Sequence, residues 1–392
     1  MSNRIILPRI VEIGKGASYQ APTVLETLNV SKPLIVTDKT MLQLGYAERL
    51  STALREKNVE PTTFSDTVQE PTASSIEAGV EMVREGEFDS IIALGGGSPI
   101  DSAKAISIVG KFGGAIRDYK FPREVREAGL PIIAIPTTAG TGSESTRVTV
   151  ITDDEKGEKM MCAGFGLVPT AALIDYELTL SLPPRVTADC GLDALTHAME
   201  AYVSKKQSPF TSLQAISALR LIGKNLRRVY HEPSNTAARE EMMLGSSLAG
   251  LAFSNSSVAL VHGMSRPIGA FFHVPHGLSN AMLLPVVTEF SILGSEGRYA
   301  DCARALGLGE YEDNGAACRK LVEELWAINE EMQVPTPSSY GIDEKRFESL
   351  IPTMAEQAQA SGSPSNNPRA PTFEEITELY RRVWQGQGMK TF

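Results

Sequence analysis

Short apolar runs alternating with amphipathic helical stretches constrain the first half of this chain to a parallel sheet flanked by helices. Pro33 to Asp38 reads as a strand, followed by a helix from Tyr46 to Lys57, and Thr62 to Phe64 is a weaker strand before a helix from Ser75 to Glu85. Ser90 to Leu94, Pro131 to Ile135 and Ala171 to Asp175 extend the series, each ending in a turn. Strands joined through helices pair in parallel, and nearly continuous Ile, Leu and Val marks strands buried on both faces. After Leu182-Pro183-Pro184 the pattern becomes long helical periodicity, running to about Arg382. The expected organisation is an α/β domain over 1–183 and an all-helical domain over 184–392. A chain of 392 residues, 42% hydrophobic, can fill two such cores. Arg4 to Ile13 reads as an early strand at an edge where copies can pair, and Ser361 to Pro368 as a loop.

Few histidines are present, and their placement carries the chemistry. Of five, four are His197, His262, His273 and His276. Asp193 and His197, in GLDALTHAMEAY, stand one helical turn apart and share a face. His262 in VALVHGMSRPIGA and His276 in FFHVPHGLSNAMLLP belong to a second apolar stretch. Together they offer three imidazoles and one carboxylate, a set suited to iron or zinc and unlike the all-oxygen shells of calcium or magnesium. A pair at this spacing is also consistent with a hydrogen-bonded helix pair that binds nothing.

Two polar loops follow strand ends. Leu94-Gly95-Gly96-Gly97-Ser98-Pro99 opens a helix with Asp101 in its first turn, so its amides can meet a pyrophosphate. Thr137, Thr138, Thr141 and Ser143, in PTTAGTGSE, can hold ribose and phosphate oxygens. Neither loop fits GxGxxG or GxxxxGK[ST], and the first alone is equally a tight strand-to-helix turn. Asp38, at an earlier strand end, can accept from an adenosine ribose and repel a 2'-phosphate, or can cap the next helix.

The net charge of -10, with no basic run, argues against nucleic acid or an anionic membrane as partner. MSNRIILPRI is too short an apolar run for a signal peptide, and no stretch of about 20 apolar residues spans a bilayer. The expectation is a cytoplasmic protein. Cys162, Cys190, Cys302 and Cys318 lack CxxC spacing, which speaks against a zinc ribbon or a disulfide framework.

Taken together, GGGSPIDSAK, PTTAGTGSE, LPP, GLDALTHAMEAYVS, PHGLSNAMLLP and NNPR resemble the iron-dependent (group III) alcohol dehydrogenases, which include lactaldehyde/propanediol oxidoreductases and butanol dehydrogenases. The resemblance covers nearly the whole chain. It implies an NAD(P)-binding α/β half and a helical metal-binding half, with the active site in the cleft between them, and assembly as dimers or larger. It also implies that Asp193, His197, His262 and His276 are the metal ligands. Gly95, Gly96, Gly97, Ser98 and Asp101 then form the pyrophosphate and nicotinamide side, with Thr137, Thr138, Thr141 and Ser143 in the second cofactor loop. Lys159 falls near the cofactor ribose, Leu178 against adenine, and Asp38 at the position linked to NAD over NADP.

Departures from the family pattern are few. Arg266 stands where relatives carry a proton-relay histidine, one turn after His262; His273 lies three residues before His276; Tyr176 replaces a proline; Glu70 stands where relatives often have Asn. Arg266 is expected either to contact an acidic substrate or to pair with a carboxylate such as Glu70 or Asp101. His273 is expected to carry protons or to sit at the surface. The implied activity is hydride transfer between NAD(H) and a small primary alcohol or aldehyde, with Fe2+ or Zn2+ polarising the substrate oxygen. A lyase related to dehydroquinate synthase, or a non-catalytic nucleotide- or metal-binding protein, is the alternative.

Overall fold

The computed structural model describes residues 3–310 and 313–386. Two compact units divide the chain, one over Arg4–Leu182 and one that starts at Pro183. Among the described residues, no single helix is long and apolar enough to cross a membrane.

The first unit contains β1 (Ile10–Ile13), β2 (Pro33–Val36), β3 (Thr62–Phe64), β4 (Ser90–Gly95), β5 (Ile132–Pro136), β6 (Val148–Asp153), β7 (Glu158–Ala163) and β8 (Ala171–Ile174). Its helices are α1 (Ala21–Leu28), α2 (Lys39–Gln43), α3 (Tyr46–Arg55), α4 (Ala73–Glu85) and α5 (Gly97–Phe112). Six strands form a parallel sheet in the order β1-β8-β5-β4-β2-β3. Successive side chains of a strand point to opposite faces, which sorts the apolar residues into two cores. Leu34, Val36, Ile91, Ala93, Ile132 and Ala134 pack with Ile76 and Val80 of α4 and Ile100 and Ile106 of α5. Ile35, Ile92, Leu94, Ile133 and Ile135 pack instead with Leu25 of α1 and Leu50 and Leu54 of α3. Each buried Ile or Leu contributes roughly 1.5–3 kcal/mol, so helices on both faces are required, not optional.

Strand order reverses between β2 and β4, the place where open α/β sheets take ligands beyond their carboxyl ends. Thr37 Oγ1 donates to the Leu94 carbonyl at 2.8 Å and ties those two ends together. Gly95 is in register with Pro136, and the Thr137 amide donates to the Gly95 carbonyl at 3.0 Å. The glycine-rich turn and the threonine loop therefore start side by side.

The observed elements depart from expectation in two places. β1 pairs only from Ile10, not from Arg4, because Pro8 lacks an amide for the ladder. No strand is expected between Ile135 and Ala171, yet β6 and β7 form an antiparallel hairpin. Its signal was present in the alternating Val-Thr-Val-Ile of β6 and the polar turn Asp154 to Gly157.

A buried lysine anchors that hairpin. Lys104 of α5 is fully buried, and its ammonium lies 3.1 Å from Ser143 Oγ, 3.0 Å from Thr146 Oγ1 and 2.8 Å from the Val148 carbonyl. Asp101, one turn earlier, accepts from Ser143 Oγ at 2.6 Å and from the Val150 amide at 2.9 Å. One face of α5 thus holds both the threonine loop and the first hairpin strand.

The second unit is helical: α6 (Pro184–Val203), α7 (Pro209–His231), α8 (Thr236–Asn255), α9 (Leu260–Phe272), α10 (His276–Ile292), α11 (Glu296–Ala305), α12 (Asn314–Glu331), α13 (Pro337–Tyr340), α14 (Glu344–Ala360) and α15 (Phe373–Gln385). α6 packs on α7, α8 and α10, and α10 also packs on α9. Every residue of α10 from Leu278 to Ile292 is buried. Polar groups inside such a helix must find partners within the protein.

Burial draws the Lys104 ammonium down to about 8, against the opposing pull of Asp101 and Glu144. The unfolded chain keeps that proton up to the ordinary lysine range, so between about pH 8 and 10.5 it binds more protons than the folded chain, and stability rises with pH. We predict that the stability of the parent relative to Lys104→Met increases across that window, by on the order of 3 kcal/mol at most. Urea unfolding of both proteins at pH 7 and pH 10 is the check. A difference that stays constant or shrinks would contradict the burial argument.

Candidate functional site

Asp193, His197 and Glu200 occupy successive turns on one face of α6, all buried. His262 lies in the first turn of α9, and His276 is the first residue of α10. Gly277 allows α10 to approach α6, since a Cβ there would come within 2.3 Å of the Asp189 carbonyl oxygen. One donor atom from each of Asp193, His197, His262 and His276 lies within 4.8 Å of the others. Asp193 Oδ1 is 3.6 Å from His262 Nε2, 3.8 Å from His276 Nε2 and 3.9 Å from His197 Nδ1. Donors roughly 2.0–2.2 Å from a shared ion have about these separations, so the geometry and the donor chemistry both fit one divalent transition metal. The His197 ring stacks between Phe253 and His262, with centroid distances of 4.1 and 4.4 Å.

Glu200 sets the orientation of His262. Its carboxylate accepts from the Ala259 amide at 2.8 Å and the Val261 amide at 2.6 Å, capping an α9 terminus that has no side-chain cap of its own. The same carboxylate lies 2.7 Å from His262 Nδ1. An ionised carboxylate only accepts, so Nδ1 carries the hydrogen and Nε2 is the nitrogen left facing Asp193. Burial disfavours the Asp193 charge, but His197, His276 and His262 outweigh it and hold the carboxyl well below its usual range. Burial likewise opposes protonation of His262, while Asp193 and Glu200 raise it.

The two residues assigned outside the ligand set follow His262 along α9. Arg266 donates to Ser363 Oγ at 3.1 Å. Burial lowers its pKa, with the Glu200 charge acting the other way. The carboxylates expected to pair with it, Glu70 and Asp101, belong to the first unit and have partners there. Glu70 pairs with Lys159 at 2.5 Å, and both Asp101 oxygens accept from Ser143 and Val150. His273 is exposed at the end of α9, with φ at 54°.

At the sheet ends, Asp38 caps α2 by accepting from the Met41 amide at 2.9 Å. A Cβ on Gly97 would fall 2.9 Å from Thr141 Cγ2, so the glycine turn and the threonine loop touch directly. Gly95, Gly96 and Ser98 complete that turn, Thr138 faces Gly96, and Thr137 is buried. Leu178 lines a small hollow with Ser18, Tyr46, Leu94 and Ile135. The side chains of Ser143 and Asp101 bond to each other, placing them in support of the loop.

Sequence reasoning missed Glu200 and Lys104. For Glu200 a signal existed: it continues the Asp193 and His197 stripe, although a glutamate on a helix usually reads as a solvated surface group. Replacing Glu200 by Gln keeps the shape and removes the charge that fixes His262. We predict a loss of roughly 10- to 100-fold in affinity for a divalent ion, measured by chelator competition. Unchanged affinity would show that His262 needs no such partner.

Residues 8–176 match the family described as iron-containing alcohol dehydrogenase, and residues 187–384 match the C-terminal part of the Fe-containing alcohol dehydrogenase family. The chain is 38% identical to long-chain-alcohol dehydrogenase 1 of Geobacillus thermodenitrificans (strain NG80-2), over 98% of this chain and 97% of that one. Among solved structures it is similar to a 1,3-propanediol oxidoreductase, with a TM-score of 0.92 and 32% identity, covering 98% of this chain and 100% of that one. It is also similar to a sulfoacetaldehyde reductase from Bifidobacterium kashiwanohense in complex with NAD+, with a TM-score of 0.87 and 29% identity over 99% and 100% of the two chains. With four side chains that could hold a metal ion brought together, the chain belongs to the iron-containing alcohol dehydrogenase family and is a metal-dependent oxidoreductase of alcohols and aldehydes.

Proposed function

We propose that the chain transfers a hydride between NAD(H) and a small primary alcohol or aldehyde, with Asp193, His197, His262 and His276 holding one divalent ion. The observation that carries this reading is the convergence of those four donors, three of them on fully buried residues. Ferrous iron is the ion the family name favours, and zinc suits the same donors. When bound, the ion supplies Lewis acidity, which lowers the pKa of an alcohol or polarises an aldehyde. Asp193 and His197 hold it from one rigid helix, while Glu200 keeps His262 in the ligating tautomer. His276 is the most open of the four, its side chain 33% exposed, so substrate enters beside it.

For the cofactor, the amides of Gly96, Gly97 and Ser98 at the start of α5 suit a pyrophosphate, with Thr137, Thr138 and Thr141 alongside. Lys159 and Leu178 are assigned to ribose and adenine, with Asp101 and Ser143 as the tie that fixes the loop. The NAD+ complex of a similar structure supports a nicotinamide cofactor. Asp38 supports NAD(H) over NADP(H), because the adjacent Lys39 pairs with Asp66 at 3.6 Å and leaves the carboxylate to meet a 2'-phosphate. Arg266 holds its proton at neutral pH and cannot replace a relay histidine. Its bond to Ser363 supports a positioning role, and the exposed His273 is assigned to proton exchange with water. A cytoplasmic homo-oligomer completes the reading. Its supports are four free cysteines and the β1 edge, where Val11 and Ile13 are exposed, and light scattering on the purified chain tests it.

Anaerobic reconstitution with Fe2+, followed by NADH and NADPH oxidation over a panel of small aldehydes, tests the whole proposal. We expect turnover with NADH favoured by roughly one to two decades, from about 1–3 kcal/mol of repulsion at Asp38. Asp38→Gly should narrow that preference. His262→Ala should lose both the ion and nearly all activity. Full metal occupancy at near-normal rate in His262→Ala would overturn the site, and equal kcat/KM for the two cofactors would overturn the role of Asp38.

A further inference from the structure

Arg266 stands one helical turn after His262 on α9, so the two side chains share a face. Helical side chains lean toward the N-terminus of their helix, which carries the guanidinium back over the turn that holds His262. Burial is the largest influence on its charge, and the Glu200 carboxylate opposes it from a distance. Glu200 is not its partner: both of its oxygens are engaged by the Ala259 and Val261 amides and by His262 Nδ1. The hydrogen bond that Arg266 does make goes to a neutral hydroxyl, Ser363 Oγ, at 3.1 Å. Among the described residues of the second unit, no Asp or Glu pairs with it. A guanidinium has five N–H donors and keeps its charge at neutral pH, and this one is still partly accessible. Its position is fixed from behind. A Cβ on Gly263 would come within 2.9 Å of Pro364, so the loop that carries Ser363 is seated on α9, and Asn366 Nδ2 donates to Ser257 Oγ at 2.7 Å just ahead of the helix.

We propose that Arg266 is a specificity-determining residue that binds an oxyanion on the substrate, so that the preferred aldehydes carry a carboxylate or sulfonate a few carbons from the carbonyl. The inference rests on the proposed function above, in which the carbonyl oxygen lies beside His262 and His276. One helical turn is about 5.4 Å, the reach of a short oxo acid from end to end. A partly buried cation is costly while unmatched, and arginine meets a carboxylate or sulfonate through paired N–H bonds. An anionic substrate offsets that cost, whereas an apolar aldehyde leaves it in place. A role confined to steadying the Ser363 loop needs a hydrogen-bond donor at this position and no charge. The seated loop also means that the guanidinium is held before substrate arrives, so little ordering remains to be done on binding.

Parent, Arg266→Met and Arg266→Gln, each reconstituted with Fe2+, are assayed for NADH oxidation with butanal, 4-oxobutanoate and 3-oxopropane-1-sulfonate. The quantity read is the ratio of kcat/KM for each acid to kcat/KM for butanal. In the parent that ratio should exceed one for at least one acid, and the acid with the larger ratio identifies the oxyanion. It should fall roughly ten- to 100-fold in Arg266→Met, the fold-change of a charge-assisted hydrogen bond, with the loss carried mainly by KM. Arg266→Gln keeps a donor for Ser363 and drops the charge, so its ratio should fall in the same way. Added salt should lower kcat/KM for the acids and leave that for butanal in place. A parent ratio of one or less for both acids overturns the proposal. So does an equal loss on all three aldehydes in Arg266→Met, or an unchanged ratio in Arg266→Gln, because those results describe a structural residue. If one variant does not fold, the other decides by the same ratio, and if neither folds the parent ratio and its salt dependence decide. A parent that turns over none of the three aldehydes refutes the hydride-transfer reading, and this inference with it; turnover of butanal without preference for an acid refutes this inference alone.

Discussion

The helical unit's chemistry depends on one carboxylate. Glu200 accepts two backbone amides at the start of α9 and the Nδ1 hydrogen of His262, so a single group fixes both where the helix begins and which way that imidazole faces. Because Glu200 shares α6 with Asp193 and His197, those contacts hold α6 against the start of α9. Charge-assisted hydrogen bonds in a dry environment are strong when complete, and leaving such a carboxylate unpaired costs several kcal/mol. The arrangement is therefore close to all or none: α9 starts where Glu200 can reach it, or the carboxylate is stranded.

The α/β unit solves a similar problem by different means. There the polar loops at the strand ends must be held without side chains large enough to pack, and α5 does this from below. Asp101 and Lys104 reach the threonine loop and the hairpin with five of the contacts described above, all within the same unit. Asp101 and Ser143, both expected at the cofactor, bond to each other, and Asp101 also accepts from the Val150 amide. The glycine turn and the threonine loop meet at Gly97 and Thr141.

Much of this was legible in the chain because it rests on periodicity. The continuous apolar run of Leu34, Ile35 and Val36 marks a strand buried on both faces, and the one-turn spacing of Asp193 and His197 marks a shared helix face. Less legible were features that depend on what the other end of a contact is. Glu200 and Lys104 are residue types that normally face water, and only their distant partners reveal that they do not. Arg266 donates to the hydroxyl of Ser363, from a loop nearly one hundred residues away whose approach to α9 no local pattern encodes. The shortened β1 is the reverse case, a local rule about Pro8 that overrides an apolar run.

Anomalous diffraction from crystals of the metal-loaded protein, recorded on either side of the absorption edge of the ion supplied, tests the central claim most directly. The account predicts a single strong peak roughly 2.0–2.2 Å from Asp193 Oδ1, one nitrogen of His197, and the Nε2 atoms of His262 and His276, with Glu200 still bonded to His262 Nδ1. A loaded crystal with no peak among those four side chains, or with the ion bound elsewhere on the chain, would contradict it.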